Sequence, residues 1–82
     1  MSLPKWREAT VHVVAQKAGP VADLIVDDTL AALGVQEEEM TASHYLQFVR
    51  LLYDKLPTTL DRRQVCQQAQ LAVLKAYGFK NS

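Results

Sequence analysis

Glycine and proline divide this chain into four segments, and no other feature constrains its fold as strongly. The breaks fall at Gly19 and Pro20, at Gly34 and Val35, and at Pro57 and Thr58. The segments between them are roughly 14 to 18 residues long, which exceeds an average strand and is typical of a helix. The spacing therefore predicts four helices joined by short connections.

The first two segments are expected to meet at a tight corner. Trp6, Ala9 and Val13 recur at helical spacing, although the β-branched run at residues 10–14 would also suit a strand. Pro20 suits the first turn of the second helix, and Gly34 suits the left-handed residue that follows its last turn. We expect a side chain at position 19 to crowd the start of the second helix.

The third and fourth segments carry clearer helix signals. Thr41 is a candidate N-cap, and Met40 and Tyr45 occupy the two positions of a hydrophobic staple. The predicted core stripe that follows consists of Tyr45, Phe48, Val49, Leu52 and Leu56, widened by Leu46, Leu51 and Tyr53. In the fourth segment, Thr58 or Thr59 is expected to cap a helix that ends at Gly78, with Leu74 and Phe79 in contact. The apolar side of this helix is predicted to hold Leu60, Val65, Ala69, Ala72, Val73 and Ala76.

These segments predict an all-α fold, either a compact bundle or an orthogonal array of four helices. Hydrophobic residues make up 49% of the 82 positions and charged residues 22%, as in ordinary globular proteins. A chain of this length forms one domain, so we expect residues 1–82 to be a single helical domain. The tight corner before the second helix favours the orthogonal or irregular arrangement.

Charge is distributed unevenly although the net charge is zero. Residues 1–19 carry +2, residues 20–40 carry −6 with no basic residue, and residues 41–82 carry +4. Such a one-sided block attracts a basic partner and is weakened by salt. The predicted partner-binding residues are Asp23, Asp27, Glu37, Glu38 and Glu39.

The partner of this acidic block is expected to be another protein or a second copy of the chain. Arg62, Arg63 and Lys75 supply a complementary basic face, so that copies would associate weakly and head to tail. The alternative is that the carboxylates pair with lysine and arginine inside one molecule, and Asp28 in particular lies close enough to the apolar stripe to pair with an arginine.

The sequence offers little for catalysis, and we expect a protein that is not an enzyme. The two histidines, His12 and His44, match no metal-binding spacing, and no glycine-rich phosphate loop is present. Cys66 is the single cysteine; Arg62 and Arg63 lie one turn away, where they would lower its thiol pKa, but a cysteine among apolar residues usually belongs to a core. No cofactor and no metal are predicted.

Other classes of partner are disfavoured. The apolar runs are too short for a membrane span, and one cysteine suits a reducing compartment, so we expect a cytoplasmic protein with no membrane partner. A small helix-turn-helix-like DNA-binding domain is the alternative function, with the fourth helix reading bases through its glutamines. The zero net charge and the three adjacent glutamates argue against nucleic acid.

The corner at Gly19, Pro20, Val21 and Ala22 resembles that of a small helical accessory domain of bacterial signalling proteins, which carries a Gly-Pro-Ile-Ala-type helix corner. The resemblance covers residues 13–56 and departs from that module at Asp27 and Asp28, where the module tends to have basic residues. It implies a non-catalytic accessory domain of the kind that forms part of a larger protein. The expected function is a protein-interaction or regulatory module.

Overall fold

Residues 3–78 are described by a computed structural model, and within this range four α-helices and no strand are present. The helices are α1 (Trp6–Ala18), α2 (Ala22–Leu33), α3 (Ala42–Lys55) and α4 (Arg62–Gly78). Short 3₁₀ turns lie at Gly19–Val21 and Glu37–Glu39. The radius of gyration is 11.8 Å, close to the value of about 12 Å expected for a compact domain of this length. The predicted all-α, compact fold is confirmed, and the β-branched residues 10–14 are helical.

The four helices form a closed ring around one core. α1 packs most extensively on α4 and also packs on α2, while α3 packs on both α2 and α4. α2 and α4, which have no extensive contact in the described part of the chain, therefore lie on opposite sides of the molecule. This arrangement places the outer faces of α2 and α4 far apart.

The core is centred on α3. The five residues of the predicted stripe, from Tyr45 to Leu56, are all buried. Leu46 and Tyr53, which were expected to widen the stripe, are instead exposed. The other helices contribute Trp6, Val13, Val14, Ala22, Val26, Val65, Cys66, Ala69 and Val73.

An aromatic cluster joins α1 to α3 across the ring. The ring of Phe48 lies edge-on to Trp6 with 5.1 Å between centroids, and it is stacked on Tyr45 at 5.7 Å. The hydroxyl of Thr10 donates a hydrogen bond of 2.7 Å to the carbonyl of Trp6. Because that bond uses the only hydroxyl proton of Thr10, the hydroxyl of Tyr45, 2.8 Å away, donates to the Thr10 oxygen.

The helix caps agree with the sequence in one case and differ in another. The hydroxyl of Thr41 accepts a hydrogen bond from the backbone N–H of His44 at 3.1 Å, so the predicted cap of α3 is confirmed. The predicted cap of α4 at Thr58 or Thr59 is wrong. These residues belong to a turn closed by the N–H of Leu60 and the carbonyl of Pro57, and Asp61 caps the helix by accepting from the N–H of Gln64 at 3.2 Å. The predicted contact between Leu74 and Phe79 lies outside the described residues.

The corner between α1 and α2 is as tight as predicted, since only the 3₁₀ turn Gly19–Val21 separates the helices. The expected reason for glycine at position 19 is wrong, because a Cβ added there meets no atom within 4 Å. The backbone itself requires glycine. Gly19 has φ +70° and ψ −142°, in a region that residues with a side chain rarely occupy.

Replacing Gly34 with alanine should lower the free energy of unfolding by about 1 kcal/mol. Gly34 has φ +78° in the left-handed region, and a Cβ there meets no neighbouring atom, so the cost comes from the backbone alone. Gly34→Asn should lose less, because asparagine tolerates this conformation better. Urea unfolding measures both variants, and an unchanged midpoint for Gly34→Ala would contradict the assigned end of α2.

Candidate functional site

Two unlike surfaces carry the features that a binding site requires. The first, called here the acidic surface, consists of the carboxylates of Asp23, Asp27, Asp28, Glu37, Glu38 and Glu39. All six of these residues are exposed. The second is an apolar groove between α3 and α4.

The acidic surface is assembled from two elements that the fold holds together. The turn Glu37–Glu39 lies against the start of α1, because the indole N–H of Trp6 donates to the carbonyl of Glu37 at 2.9 Å and the N–H of Leu3 donates to the carbonyl of Met40 at 2.6 Å. Asp27 of α2, Glu37 and Glu38 consequently border a single open depression. The structure therefore brings Asp23, Asp27, Glu37 and Glu38 into one region, whereas Glu39 lies at the end of the turn and does not border the depression.

Arg7 of α1 lies in the middle of this surface. One of its guanidinium nitrogens is 2.6 Å from Asp27 and 3.6 Å from Asp23, and the other is 3.6 Å from Glu37. The acidic block therefore does have a compensating base. It comes from α1 and so is not visible in the sequence of residues 20–40, which contains no basic residue. One arginine serves three carboxylates, so the acidic surface as a whole remains strongly negative.

The expected pairing of Asp28 with an arginine is not found within residues 3–78. Asp23 and Asp27 lie one turn apart on the side of α2 that faces Arg7 and pair with it, whereas the ion pairs of this range do not include Asp28. Asp28 is four residues beyond Leu24, so both lie on the outer face of α2. Leu24 is 64% exposed, which leaves an apolar side chain among the carboxylates.

The groove between α3 and α4 has a volume of about 310 Å³ and an almost entirely apolar lining. Leu46 of α3 faces Leu74 and Tyr77 of α4, with the exposed fraction of these three residues at 61%, 61% and 42%. Leu71, also exposed, lies beside Leu74 in a second depression that Lys75 borders. Leu74 lines both depressions and is therefore the central apolar residue of this side of the molecule.

Basic side chains lie near this groove but do not line it, and Arg63 is about 16 Å before Leu74 along α4. Arg50 follows Leu46 by one turn on α3, and Lys75 borders the depression that contains Leu71 and Leu74. Arg62 lies over the ring of Tyr53 at 4.4 Å and donates to the Tyr53 carbonyl at 3.4 Å. Arg50 and Arg63 are exposed. We call this groove with its basic border the basic groove.

The basic groove is not among the sites predicted from the sequence. The spacing of Leu46 fits the core stripe, and that of Leu74 fits a contact at the end of the helix. A signal was present, since Leu71 and Leu74 fall on the side of α4 opposite Val65, Ala69 and Val73. Two leucines outside the apolar stripe of a helix indicate an exposed apolar patch.

The groups capable of catalysis are not brought together. Burial raises the pKa of the Cys66 thiol, and the opposing effect of the Arg62 charge is smaller, so the expected lowering by the arginines is wrong. The thiol is buried and donates a weak hydrogen bond to the carbonyl of Val49 at 3.8 Å. His44 donates to the carbonyl of Glu39, and His12 is exposed beside Gln16. Among residues 3–78, no group of three histidine, cysteine or acidic side chains is arranged to hold a metal ion.

None of the helices in the described range combines the length and the hydropathy that a membrane crossing demands.

Comparison with known proteins gives one informative result. Neither the curated proteins nor the solved structures provide a significant match. A protein family described as "Domain of unknown function (DUF8082)" matches residues 6–77, which include all of α1, α2 and α3 and nearly all of α4. Because the match covers the four-helix ring and both candidate surfaces, the chain belongs to this family of domains, DUF8082.

Proposed function

We propose that this domain is a non-catalytic protein-interaction module that binds a partner protein through the basic groove. The observation that carries the proposal is the exposure of Leu46, Leu74 and Tyr77 around one apolar groove. Single exposed apolar residues are common on soluble proteins, but a contiguous apolar groove with a charged border is typical of an interaction site.

The arrangement of reactive groups supports a role without catalysis. The only cysteine is buried and bonded to the backbone, and its raised pKa disfavours the nucleophilic thiolate. The carboxylates of the acidic surface are exposed, whereas a catalytic carboxylate usually lies in a cleft that perturbs its pKa. The corner at Gly19–Val21, which resembles that of a bacterial signalling accessory domain, supports a regulatory role in the cytoplasm of a bacterium.

DNA binding is the second candidate, because Arg50, Arg63 and Lys75 are exposed on the neighbouring helices α3 and α4. A recognition helix reads bases with polar side chains on its outer face. The outer face of α4 instead presents Leu71 and Leu74, and the guanidinium group of Arg62 packs on the ring of Tyr53. These contacts favour a protein partner over DNA.

The proposal is tested with the immobilised domain and an extract of the cells that produce it. Leu74→Glu places a carboxylate in the groove, and Gln16→Glu adds the same charge at an exposed position of α1, away from the groove. A partner that the unaltered domain and Gln16→Glu retain should be lost from Leu74→Glu, while circular dichroism shows all three folded. Equal retention on all three proteins would contradict the proposal.

The DNA alternative is tested with the same three proteins on a column of duplex DNA. Phosphate binding falls steeply with salt concentration. We expect all three to pass unretained at low salt. Retention that salt abolishes and that Leu74→Glu does not alter would favour the DNA-binding function instead.

A further inference from the structure

The basic groove and the outer face of α2 lie on opposite sides of the molecule, because α2 and α4 are separated in the ring by α1 and α3. The two surfaces are also unlike in charge. A molecule with complementary surfaces on opposite sides is able to bind a second copy head to tail.

The outer face of α2 has the composition of a helix that docks into a groove. Leu24, Asp28 and Ala31 recur at helical spacing and are exposed, and Val21 in the turn before α2 is exposed as well. Asp27 borders this row beside Arg7. The face therefore presents a row of apolar side chains with carboxylates beside it. The helix that carries this row has 12 residues and is about 18 Å long.

The basic groove offers the matching features. Its apolar floor is lined by Leu46, Leu74 and Tyr77, and Arg50, Arg63 and Lys75 supply positive charge on the exposed sides of α3 and α4. All ion pairs found within residues 3–78 involve Arg7, so no carboxylate of this range pairs with these three basic groups. Their charges complement those of the acidic surface.

We propose that the outer face of α2 in one copy docks into the basic groove of a second copy, so that Leu24 contacts Leu74 and the carboxylates of α2 meet the basic border. The proposal rests on the proposed function, in that it takes the groove as a protein-binding surface and names its occupant. Because the two surfaces differ, a dimer of this kind leaves the basic groove of one copy and the α2 face of the other unoccupied. Further copies bind there, and the association extends beyond a dimer.

Sedimentation velocity over a range of concentrations tests the proposal. The mean mass of the unaltered domain should rise with concentration at low salt, and the rise should diminish at high salt because salt screens the charges. Leu24→Lys alters only the α2 face and Leu74→Glu only the groove. Each variant alone should remain a monomer, whereas the controls Gln16→Lys and Gln16→Glu, which add the same charges at an exposed position of α1, should associate as the unaltered domain does.

The decisive measurement is an equal mixture of Leu24→Lys and Leu74→Glu. The former keeps an intact groove and the latter an intact α2 face, so the mixture should form a heterodimer of twice the monomer mass and nothing larger. A groove-to-groove dimer predicts the opposite: Leu24→Lys would dimerise alone, and the mixture would gain nothing. That pattern would overturn α2 as the occupant.

A monomer at every concentration and salt level would also overturn the inference. This failure is distinguishable from failure of the proposed function. A monomeric domain that captures a partner in a manner dependent on Leu74 would retain the function and lose the head-to-tail assembly. Self-association that neither Leu24→Lys nor Leu74→Glu weakens would exclude both surfaces from the contact between copies.

Discussion

Replacing Phe48 with alanine should lower the free energy of unfolding by about 3–5 kcal/mol, the usual cost of removing a buried phenylalanine ring. Phe48 has no exposed surface, and its ring contacts both Trp6 of α1 and Tyr45 of its own helix. The cavity would open between α1 and α3, where the edge contact between Trp6 and Tyr45, with 6.2 Å between ring centroids, would be the remaining part of the aromatic cluster. Small domains are stable by only about 5–15 kcal/mol, so the variant should lose a large part of its stability.

Urea unfolding followed by circular dichroism and by the fluorescence of Trp6 measures this effect. Leu46→Ala is the matched control, because it shortens an exposed side chain two residues away on the same helix. The control should change stability by no more than about 0.5 kcal/mol. A loss below about 1 kcal/mol for Phe48→Ala would mean that the aromatic cluster does not form the core.

The sequence predicted α3 in detail because all its local signals agree. Its apolar period, its Thr41 cap and the stop at Pro57 favour one helix in one orientation, and five residues of the predicted stripe are buried. The exposure of Leu46 and Tyr53 could not be read from the same pattern. Both lie on the flank towards α4, and the angle between the two helices decides whether such a flank is covered.

The start of α4 shows a different limit. Thr58, Thr59 and Asp61 are all good capping residues and lie within four positions of one another. The choice among them depends on the turn after Pro57, in which Leu60 bonds back to the Pro57 carbonyl. That turn uses residues 58 and 59, so the helix begins only after Asp61.

The candidate sites depend on contacts that sequence patterns do not encode. The acidic block of residues 20–40 predicted a concentrated charge, and the structure does gather Asp23, Asp27 and Glu37. Arg7 was missed because it belongs to another segment, 20 residues before Asp27. The tight corner at Gly19 turns α2 back beside α1, and the hydrogen bond from Trp6 to Glu37 then brings the acidic turn to the same place.

The tyrosine of the aromatic cluster should make stability fall steeply in alkaline solution. Burial raises the pKa of Tyr45 to about 12 from its ordinary value of 10.0, and the nearby Cys66 thiolate adds to the rise. Above pH 10 the unfolded chain releases the phenolic proton while the folded protein retains it. The contribution of Tyr45 is therefore fully present below pH 10 and is lost as the pH rises to 12, by about 1 kcal/mol at pH 11 and about 2 kcal/mol at pH 12.

Tyr45→Phe isolates this effect from the titration of the other groups. Near pH 8 the variant should be less stable by about 1 kcal/mol, because it loses the hydrogen bond to Thr10, whose own hydroxyl remains bonded to the Trp6 carbonyl. At pH 11 the two proteins should be about equally stable, and above pH 11 the variant should be the more stable one. Urea midpoints at pH 8, 10 and 11 measure the crossover, and Tyr77→Phe, which removes a hydroxyl from an exposed ring, is the control. A constant difference between Tyr45→Phe and the unaltered protein across this range would mean that the Tyr45 hydroxyl reaches solvent rather than Thr10.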